Sequence, residues 1–342
     1  MATDHLETTA RMMLADGKGI LAADETPGTL TKRFDALAIE STPETRRAYR
    51  EMFFTTPGMS DAISGVIMQD ETIRQTGSSG TPLVDVLRQQ GVIPGIKVDQ
   101  GAKPLAGSPA ETVTEGLDGL RDRLLEYSQM GARFAKWRAV IRIDDVSPTA
   151  GCLDANAHAL ARYAALCQEQ GLVPIVEPEV LMDGSHSLER CERVTSDMLH
   201  ATFNALDKQS VTLEGMLLKP NMVIAAKRSP SQASVEAVAR ATLRTLQRYA
   251  PSAVPGIVFL SGGQDSLTAT SHLNAINRLD GAKPWKLSFS FGRALQDEAL
   301  RAWAGKPDNV PAGQRAFAHR ATCARAAALG RYTRAMESGL AA

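Results

Sequence analysis

The stretch "GMLLKPNMV", residues 215–223, decides the fold that this chain can adopt. An apolar run leads into Lys219, and a proline follows the lysine at once. Such a run, bounded by glycine and proline, predicts a short buried strand. An isolated ammonium is costly to bury, so the lysine needs an explanation. Either its head reaches solvent from a buried stem, or it is a desolvated amine that attacks a carbonyl carbon and forms a Schiff base.

Seven other segments share this strand character, and each is opened by a turn signal or a polar run and followed by a helix-like stretch. In chain order with the first stretch, the eight are "KGILAADE" at 18–25, "ISGVIMQ" at 63–69, "IPGIKVDQ" at 93–100, "RFAKWRAVIRI" at 133–143, "LVPIVEPEV" at 172–180, "GMLLKPNMV" at 215–223, "GIVFLSGG" at 256–263 and "KLSFSFGR" at 286–293.

This alternation of eight strands with helices predicts an α/β fold, a single (β/α)8 TIM barrel. An open doubly wound sheet is the alternative, but no GxGxxG follows the first strand and no low-complexity linker divides the chain. We therefore expect residues 1–342 to form one barrel domain. A short helix at about 3–15 would precede it, and a loosely held tail at about 331–342 would end it.

Composition excludes several classes of partner. Lys plus Arg equals Asp plus Glu, 38 against 38, so no net field favours nucleic acid or an anionic membrane. The sequence contains no apolar stretch long enough to span a bilayer, and its start does not resemble a signal peptide. The four cysteines lack metal-binding spacing and suit a reducing compartment. These features predict a cytoplasmic protein.

Ionisable residues cluster where the active site of such a barrel belongs. Every second side chain of a barrel strand points inward, and active sites lie at the C-terminal ends of the strands. Taken singly, each such residue could be a solvated strand tip or a helix cap. Together they predict a site, formed by Asp24, Lys136, Arg138, Glu177, Glu179 and Lys219.

The loops after the seventh and eighth strands predict an anion site. "FLSGG" at 259–263 and "SFGRAL" at 290–295 each lead from a strand into a helix. Backbone N–H groups near Ser261, Gly262 and Gly263 can cradle an anion at a helix start, and Arg293 adds a charge. Barrels of this kind often bind phosphate at these two loops.

The motifs "GKGILAADE", "GIKVD.G..PLAG", "AKWR", "VEPE", "LLKPNM", "FLSGGQ" and "FGRAL" occur in chain order from residue 17 to about 303. Together they resemble class I, Schiff-base-forming fructose-bisphosphate aldolase. The resemblance implies reversible cleavage of fructose 1,6-bisphosphate to dihydroxyacetone phosphate and glyceraldehyde 3-phosphate in glycolysis or gluconeogenesis. It also implies a homo-tetramer whose partner is a small sugar phosphate. No cofactor or metal is expected, because the iminium itself is the electron sink.

The resemblance also implies roles for the clustered residues. Lys219 would condense with the ketone carbon, and Glu177 would be the acid/base that dehydrates the carbinolamine. Asp24 would act on the hydroxyl whose proton leaves as the carbon–carbon bond breaks. Lys136 would polarise that region, Glu179 would orient the lysines, and Arg138 would contact the substrate.

Two phosphate sites follow from the same resemblance. The ketone-side site matches Ser261, Gly262, Gly263, Ser290, Gly292 and Arg293. The distal site matches Lys32 and Arg33 in "TLTKRF", and we expect Arg33 to carry most of its charge. The chain departs from many relatives at Gln100, where they have lysine, and it lacks a terminal tyrosine, its nearest being Tyr332.

Other functions stay open from the residues alone. The amine could serve a transaldolase-like or deoxyribose-phosphate-aldolase-like reaction, or hold pyridoxal phosphate. A barrel that only binds sugar phosphates, or acts as a scaffold, is the non-enzymatic alternative. A metal-dependent aldolase is disfavoured because the six histidines are scattered along the chain.

Overall fold

The eight predicted strands close into a parallel barrel in the computed structural model, which describes residues 2–340. The barrel strands are β1 (Gly19–Ala22), β2 (Ile63–Met68), β3 (Ile93–Lys97), β6 (Phe134–Ile141), β7 (Val173–Val180), β8 (Leu217–Leu218), β9 (Gly256–Phe259) and β10 (Lys286–Phe291). Their order around the barrel is β1-β10-β9-β8-β7-β6-β3-β2, and all neighbours are parallel. The predicted (β/α)8 TIM barrel is confirmed.

Helices connect the strands and pack outside them. They are α1 (Ala2–Met13), α2 (Pro27–Asp35), α3 (Pro43–Phe54), α4 (Asp70–Ile73), α5 (Leu83–Gln89), α6 (Leu120–Gln129), α7 (Ala150–Glu169), α8 (Leu188–Lys208), α9 (Val235–Tyr249), α10 (Ser266–Arg278), α11 (Arg293–Trp303) and α12 (Val310–Ala328). Among the described residues, no helix is long and apolar enough to cross a membrane.

The sixth predicted strand, 215–223, proves to be the shortest, because β8 covers only Leu217–Leu218. The N–H of Lys219 still donates to β7 at 2.8 Å, but Pro220 has no N–H with which to continue the ladder. The Asn221 side-chain oxygen then accepts the next β7 N–H at 3.0 Å. The ladder therefore ends beside the lysine, whose backbone is held firmly.

A β-hairpin that the sequence analysis did not predict lies between β3 and β6 in the chain. Its strands, β4 (Ala102–Leu105) and β5 (Ser108–Thr114), are antiparallel. Two threonines of β5 bind it along β6, since Thr112 Oγ1 and Thr114 Oγ1 donate to β6 carbonyls at 3.1 and 2.8 Å. The hairpin is largely exposed and lacks apolar alternation, so its sequence resembles a polar loop.

The barrel interior is filled by side chains and closed at one end by α1. The inner layer comprises Ile20, Ala22, Ile67, Phe134, Val173, Ile175, Leu217 and Val258, together with Leu6, Ala10, Met13 and Leu14. Met13 O accepts a 2.6 Å hydrogen bond from Ser64 at the start of β2, so α1 covers the N-terminal ends of the strands. The opposite end is left open for a site.

Glycines make room for these inner side chains. A Cβ atom at Gly95 of β3 would lie 2.2 Å from ring atoms of Phe134, a distance that packed atoms do not adopt. Glycine is therefore needed there for close approach rather than for an unusual backbone angle.

The end of the chain packs on α10 and α12. The Tyr332 N–H donates to Asn274 Oδ1 at 3.0 Å, and the Tyr332 hydroxyl donates to Glu337 at 2.7 Å. Glu337 also pairs with Arg320. Ala341 and Ala342 of the expected tail lie outside the described residues. A loosely held tail and a single-domain chain stay predictions.

Candidate active site

A buried carboxylate lies between two buried ammonium groups at the C-terminal end of the barrel. Glu177 Oε1 is 3.1 Å from Lys219 Nζ, and Glu177 Oε2 is 3.3 Å from Lys136 Nζ. All three residues are about 3% exposed. The solvent-reaching interpretation of Lys219 is therefore wrong, because its head is buried and paired.

Asp24 extends this chain of charges. Its Oδ2 lies 2.6 Å from Lys136 Nζ, and both groups are buried. Burial disfavours both charged forms, but the attraction between them is larger. The Lys136 and Lys219 ammoniums hold the pKa of Asp24 well below its usual range. Asp24, Glu177 and Asp99 likewise raise the pKa of Lys136.

Strand alternation explains this convergence. Phe134 of the inner layer precedes Lys136 by two residues, and Ile175 precedes Glu177 in the same way. Each strand thus turns an apolar side chain inward in the barrel and an ionisable one inward at its mouth. Pro178 lies between the two glutamates, and its nitrogen faces β8. The β8 ladder has already ended there, so the missing N–H of the proline costs no strand hydrogen bond.

The same rule applies to β3, where the sequence analysis missed two residues. Lys97 follows the inner Gly95 by two positions, and its Nζ lies 2.7 Å from Asp99 Oδ1. Asp99 Oδ2 also accepts the Arg138 N–H at 3.2 Å. The alternation in "GIKVD" was the signal that could have identified both.

Arg138 and Glu179 form an ion pair at the rim of the mouth. The glutamate is buried, whereas the Arg138 side chain is 42% exposed. Glu179 pairs with Arg138 rather than with Lys136 or Lys219 among the described residues, so its expected role in orienting the lysines stays a prediction.

One cavity of 620 Å³ gathers the predicted residues. From the predicted set it is lined by Asp24, Lys32, Arg33, Lys136, Arg138, Glu177, Glu179, Lys219, Ser261, Gly262, Ser290, Gly292 and Arg293. Thr26, Thr29, Lys97 and Asp99 also line it and were not predicted. Gln100 instead lines an adjoining cavity, which shares Thr26, Lys97, Asp99 and Gly101 with this one.

An anion cradle lies on the β9 and β10 side of this cavity. Gly262 and Gly263 have φ of 60° and 88°, left-handed values that favour glycine, and the missing side chains let an anion approach the backbone of this loop. No side chain caps α11 at Gly292, so its first N–H groups are available. The Ser290 hydroxyl is buried and has no hydrogen-bond partner within the described chain.

One donor at the start of α10 is already paired, since Asp265 caps that helix by accepting the Thr268 N–H at 2.8 Å. The loop is braced from behind by Gln264, which donates to Ser261 O at 3.0 Å and contacts His272 Nδ1 at 2.6 Å. Burial lowers the pKa of His272 to about 4, so this support stays neutral at physiological pH.

Arg33, expected at the distal phosphate, is occupied by other groups. Its guanidinium donates to Glu25 at 2.5 Å, Asp297 at 2.9 Å and Gln296 at 2.9 Å. It also contacts the Tyr49 hydroxyl. Lys32, the neighbouring residue, is exposed on the same helix and lines the same cavity.

The described residues also bring His319, Cys323 and Glu337 together, with one potential ligand atom of each within 4.8 Å of the others. The sequence analysis missed this group because Glu337 comes from the tail. Glu337 is already paired with the buried Arg320 guanidinium, whose charge opposes a cation, so we assign no metal to it.

Comparisons with known proteins agree with this geometry. A family model described as fructose-bisphosphate aldolase class-I matches residues 5–342. A probable fructose-bisphosphate aldolase class 1 of Xanthomonas axonopodis is 54% identical, covering 100% of this chain and 98% of its own. Fructose-bisphosphate aldolase 4, cytosolic, of Arabidopsis thaliana is 53% identical, with 96% and 84% covered.

A solved structure is equally similar. It is fructose-bisphosphate aldolase from Plasmodium falciparum, in complex with TRAP and a small-molecule inhibitor. The two folds superpose with a TM-score of 0.95 at 46% identity, covering 97% of this chain and 96% of the other. These matches decide against the other lysine chemistries and the non-catalytic barrel. The chain belongs to the class I fructose-bisphosphate aldolases, lyases that reversibly cleave fructose 1,6-bisphosphate through a lysine Schiff base in glycolysis.

Proposed function

We propose that Lys219 forms the Schiff base and that Glu177 moves the protons of that step. The 3.1 Å contact between the Lys219 amine and the Glu177 carboxylate carries the proposal. Attack on the ketone carbon needs a neutral amine, and dehydration of the carbinolamine needs a proton on the departing hydroxyl. Glu177 is close enough to take the first proton and return it to the hydroxyl, so water leaves and the iminium forms.

Cleavage follows from the charge of the iminium. The electrons of the C3–C4 bond move to the iminium nitrogen, which becomes the neutral nitrogen of an enamine. The proton of the C4 hydroxyl leaves as the aldehyde forms. Asp24, ionised beside Lys136, takes this proton as the C3–C4 bond breaks. The enamine then takes a proton at C3, and water hydrolyses the iminium to release the ketone phosphate.

The phosphates bind at opposite sides of the mouth in this proposal. The loop at Gly262–Gly263, the uncapped start of α11 and Arg293 receive the ketone-side group. Lys32 of α2 receives the distal group, together with Thr26 and Lys97 of the same cavity. Gln100 lines the adjoining cavity, which shares Thr26 and Lys97 with this one, and as a neutral amide it adds no charge there, so Lys32 and Lys97 supply the charge.

Borohydride trapping tests the assignment. Reduction in the presence of fructose 1,6-bisphosphate should attach the ketone fragment to Lys219, as identified by peptide mapping. Lys219→Met roughly keeps the volume and should abolish label and turnover while the protein stays folded. Label on Lys136 in the wild-type chain would overturn the assignment.

We also infer a cytoplasmic location and a homo-tetramer. Two similar Arabidopsis proteins carry the word cytosolic in their names, which supports the location. The family resemblance supports the tetramer. Sedimentation equilibrium of the purified chain distinguishes a tetramer of 36.6 kDa subunits from a monomer.

A further inference from the structure

Two cationic side chains converge above Gly263 in the ketone-side cradle. A Cβ atom at this glycine would lie 2.9 Å from Arg293 Nη2 and 3.2 Å from Lys227 Nζ. The φ of Gly263 is 88°, so its backbone already favours glycine, and the missing side chain leaves room for both cations. Arg293 belongs to the phosphate cradle described above. Lys227 has no assigned role.

The backbone of Lys227 is fixed by the loop that follows β7. Its N–H donates to Met182 O at 2.9 Å, and the N–H groups on either side of it donate to His186 O and Gly184 O, both at 3.0 Å. The loop after β8 is thus joined to the loop after β7. Lys227 therefore extends toward Gly263 from a rigid base rather than from a free loop.

The Lys227 side chain has a weak competing partner. Its Nζ lies 3.0 Å from Asp183 Oδ1, and the two side chains are 44% and 66% exposed. An ion pair this exposed contributes little to stability, because water screens it. A phosphate group carries more charge than a carboxylate at neutral pH, so it can draw the ammonium away from Asp183.

We propose that Lys227 is a second cation for the ketone-side phosphate and exchanges Asp183 for the phosphate when substrate binds. This inference depends on the proposed ketone-side cradle. Lys227 supplies a point charge next to the guanidinium of Arg293, and so neutralises a dianion more completely than one arginine can. Asp183 holds the ammonium near the site while the site is empty. Because fructose 1,6-bisphosphate and fructose 1-phosphate share this phosphate, Lys227 serves both substrates alike.

The experiment compares Lys227→Met with the exposed pair at the opposite end of the barrel. Lys286 Nζ lies 2.7 Å from Asp16 Oδ1, with both side chains exposed, so Lys286→Met is the matched control. Affinity is measured as the dihydroxyacetone phosphate concentration that half-saturates borohydride trapping, and KM is measured for both substrates. Lys227→Met should raise all three values about five- to tenfold, the size of one partly exposed charged contact, with little change in kcat. Lys227→Arg should restore most of the affinity.

The aspartate supplies a second test. Asp183→Asn removes the competitor and should tighten binding about two- to threefold, but only while Lys227 is present. Lys227→Met with affinities equal to wild type, or an Asp183→Asn effect that persists without Lys227, would overturn the inference. A wild-type chain that neither turns over nor traps substrate would instead contradict the proposed function, so the two failures are distinguishable.

Discussion

At the scale of single residues, two buried carboxylates balance the two buried ammonium groups of the site. Glu177 faces Lys219 and Lys136 at once, and Asp24 is the second acid in contact with Lys136. Removing either kind of charge leaves the other buried without compensation, which costs several kcal/mol for fully buried groups. The same closeness lets a proton move between Glu177 and the reacting amine.

Lys136→Met should remove part of the stability that the ionised Asp24 gives the protein. In the wild type the pKa of Asp24 is depressed, so its ionised form stabilises the fold above about pH 4, its unfolded value. Without Lys136 that pKa rises, and each unit of rise costs about 1.4 kcal/mol at neutral pH. The difference in the free energy of unfolding between the two proteins, measured in urea, should therefore be larger at pH 7 than at pH 3, because acid removes the wild-type contribution as the pH falls toward the depressed pKa of Asp24.

The control for this measurement is Lys286→Met, whose partner Asp16 is exposed to solvent. Its difference from wild type should stay small at every pH. If the Lys136→Met difference is also constant between pH 3 and pH 7, Lys136 does not set the pKa of Asp24.

At the scale of elements, the strands position the site and the helices behind them brace it. The helix α2 follows Asp24 closely and carries both Lys32 and Arg33. Arg33 ties this helix to α11 through Asp297 and Gln296. Lys32 is left exposed toward the cavity. Adjacent basic residues of one helix thus differ in function because they face different neighbours.

Replacing the two basic residues of α2 separately should separate their roles. Lys32→Ala should raise KM for fructose 1,6-bisphosphate about five- to tenfold and leave that for fructose 1-phosphate unchanged, since only the first has a distal phosphate. Arg33→Ala should lower the free energy of unfolding by about 2–3 kcal/mol, because it leaves buried acceptors unpaired. A selective KM effect of Arg33→Ala with full stability would instead restore the phosphate role that the sequence suggested.

Strand β3 allows a test of the packing inside the barrel. Gly95→Ala places a methyl group against Phe134 and should destabilise the protein by about 1–3 kcal/mol, measured by urea unfolding. Adding Phe134→Leu should recover part of the loss. The control is Gly151→Ala in the first turn of α7, where the nearest atom to a new Cβ is 4.0 Å away and stability should not fall. Equal effects at both glycines would remove the close-approach argument.

At the scale of the whole molecule, the barrel concentrates charge at one end while the chain stays neutral overall. Asp24, Glu177 and Glu179 at the mouth are each paired with a lysine or arginine of a different strand or loop. A divalent cation would have to displace these ammonium and guanidinium groups. Neither histidine nor cysteine lines this cavity among the described residues.

Activity should therefore survive exhaustive dialysis against a chelator, because the iminium at Lys219 takes the electrons that a metal would otherwise accept. The rate of fructose 1,6-bisphosphate cleavage is measured before and after dialysis, with a zinc-dependent enzyme as the positive control for metal removal. Loss of activity that zinc restores would contradict the Schiff-base chemistry proposed for this site.

The sequence by itself predicted the barrel, its eight strands and the ionisable residues at the mouth. Local signals carry this information, because strand alternation sends Lys136, Glu177 and Lys219 to one face before any contact is known. The same alternation would have identified Lys97 and Asp99. The sequence did not predict where β8 ends, because Pro220 and Asn221 stop the strand early. It also did not predict the hairpin at 102–114, which has no apolar alternation.

Only the tertiary structure decided which charges meet. Arg33 and Lys32 are indistinguishable as neighbours in sequence, and only the fold brings Asp297 and Gln296, more than 260 residues away in the chain, to the first and not the second. Lys227 likewise lies in a loop whose sequence gives no sign of a function. Its side chain approaches Gly263 and Arg293 only because the fold places the loops after β8 and β9 side by side. The physical reason is that electrostatic partnership depends on distance in space, which local periodicity does not contain.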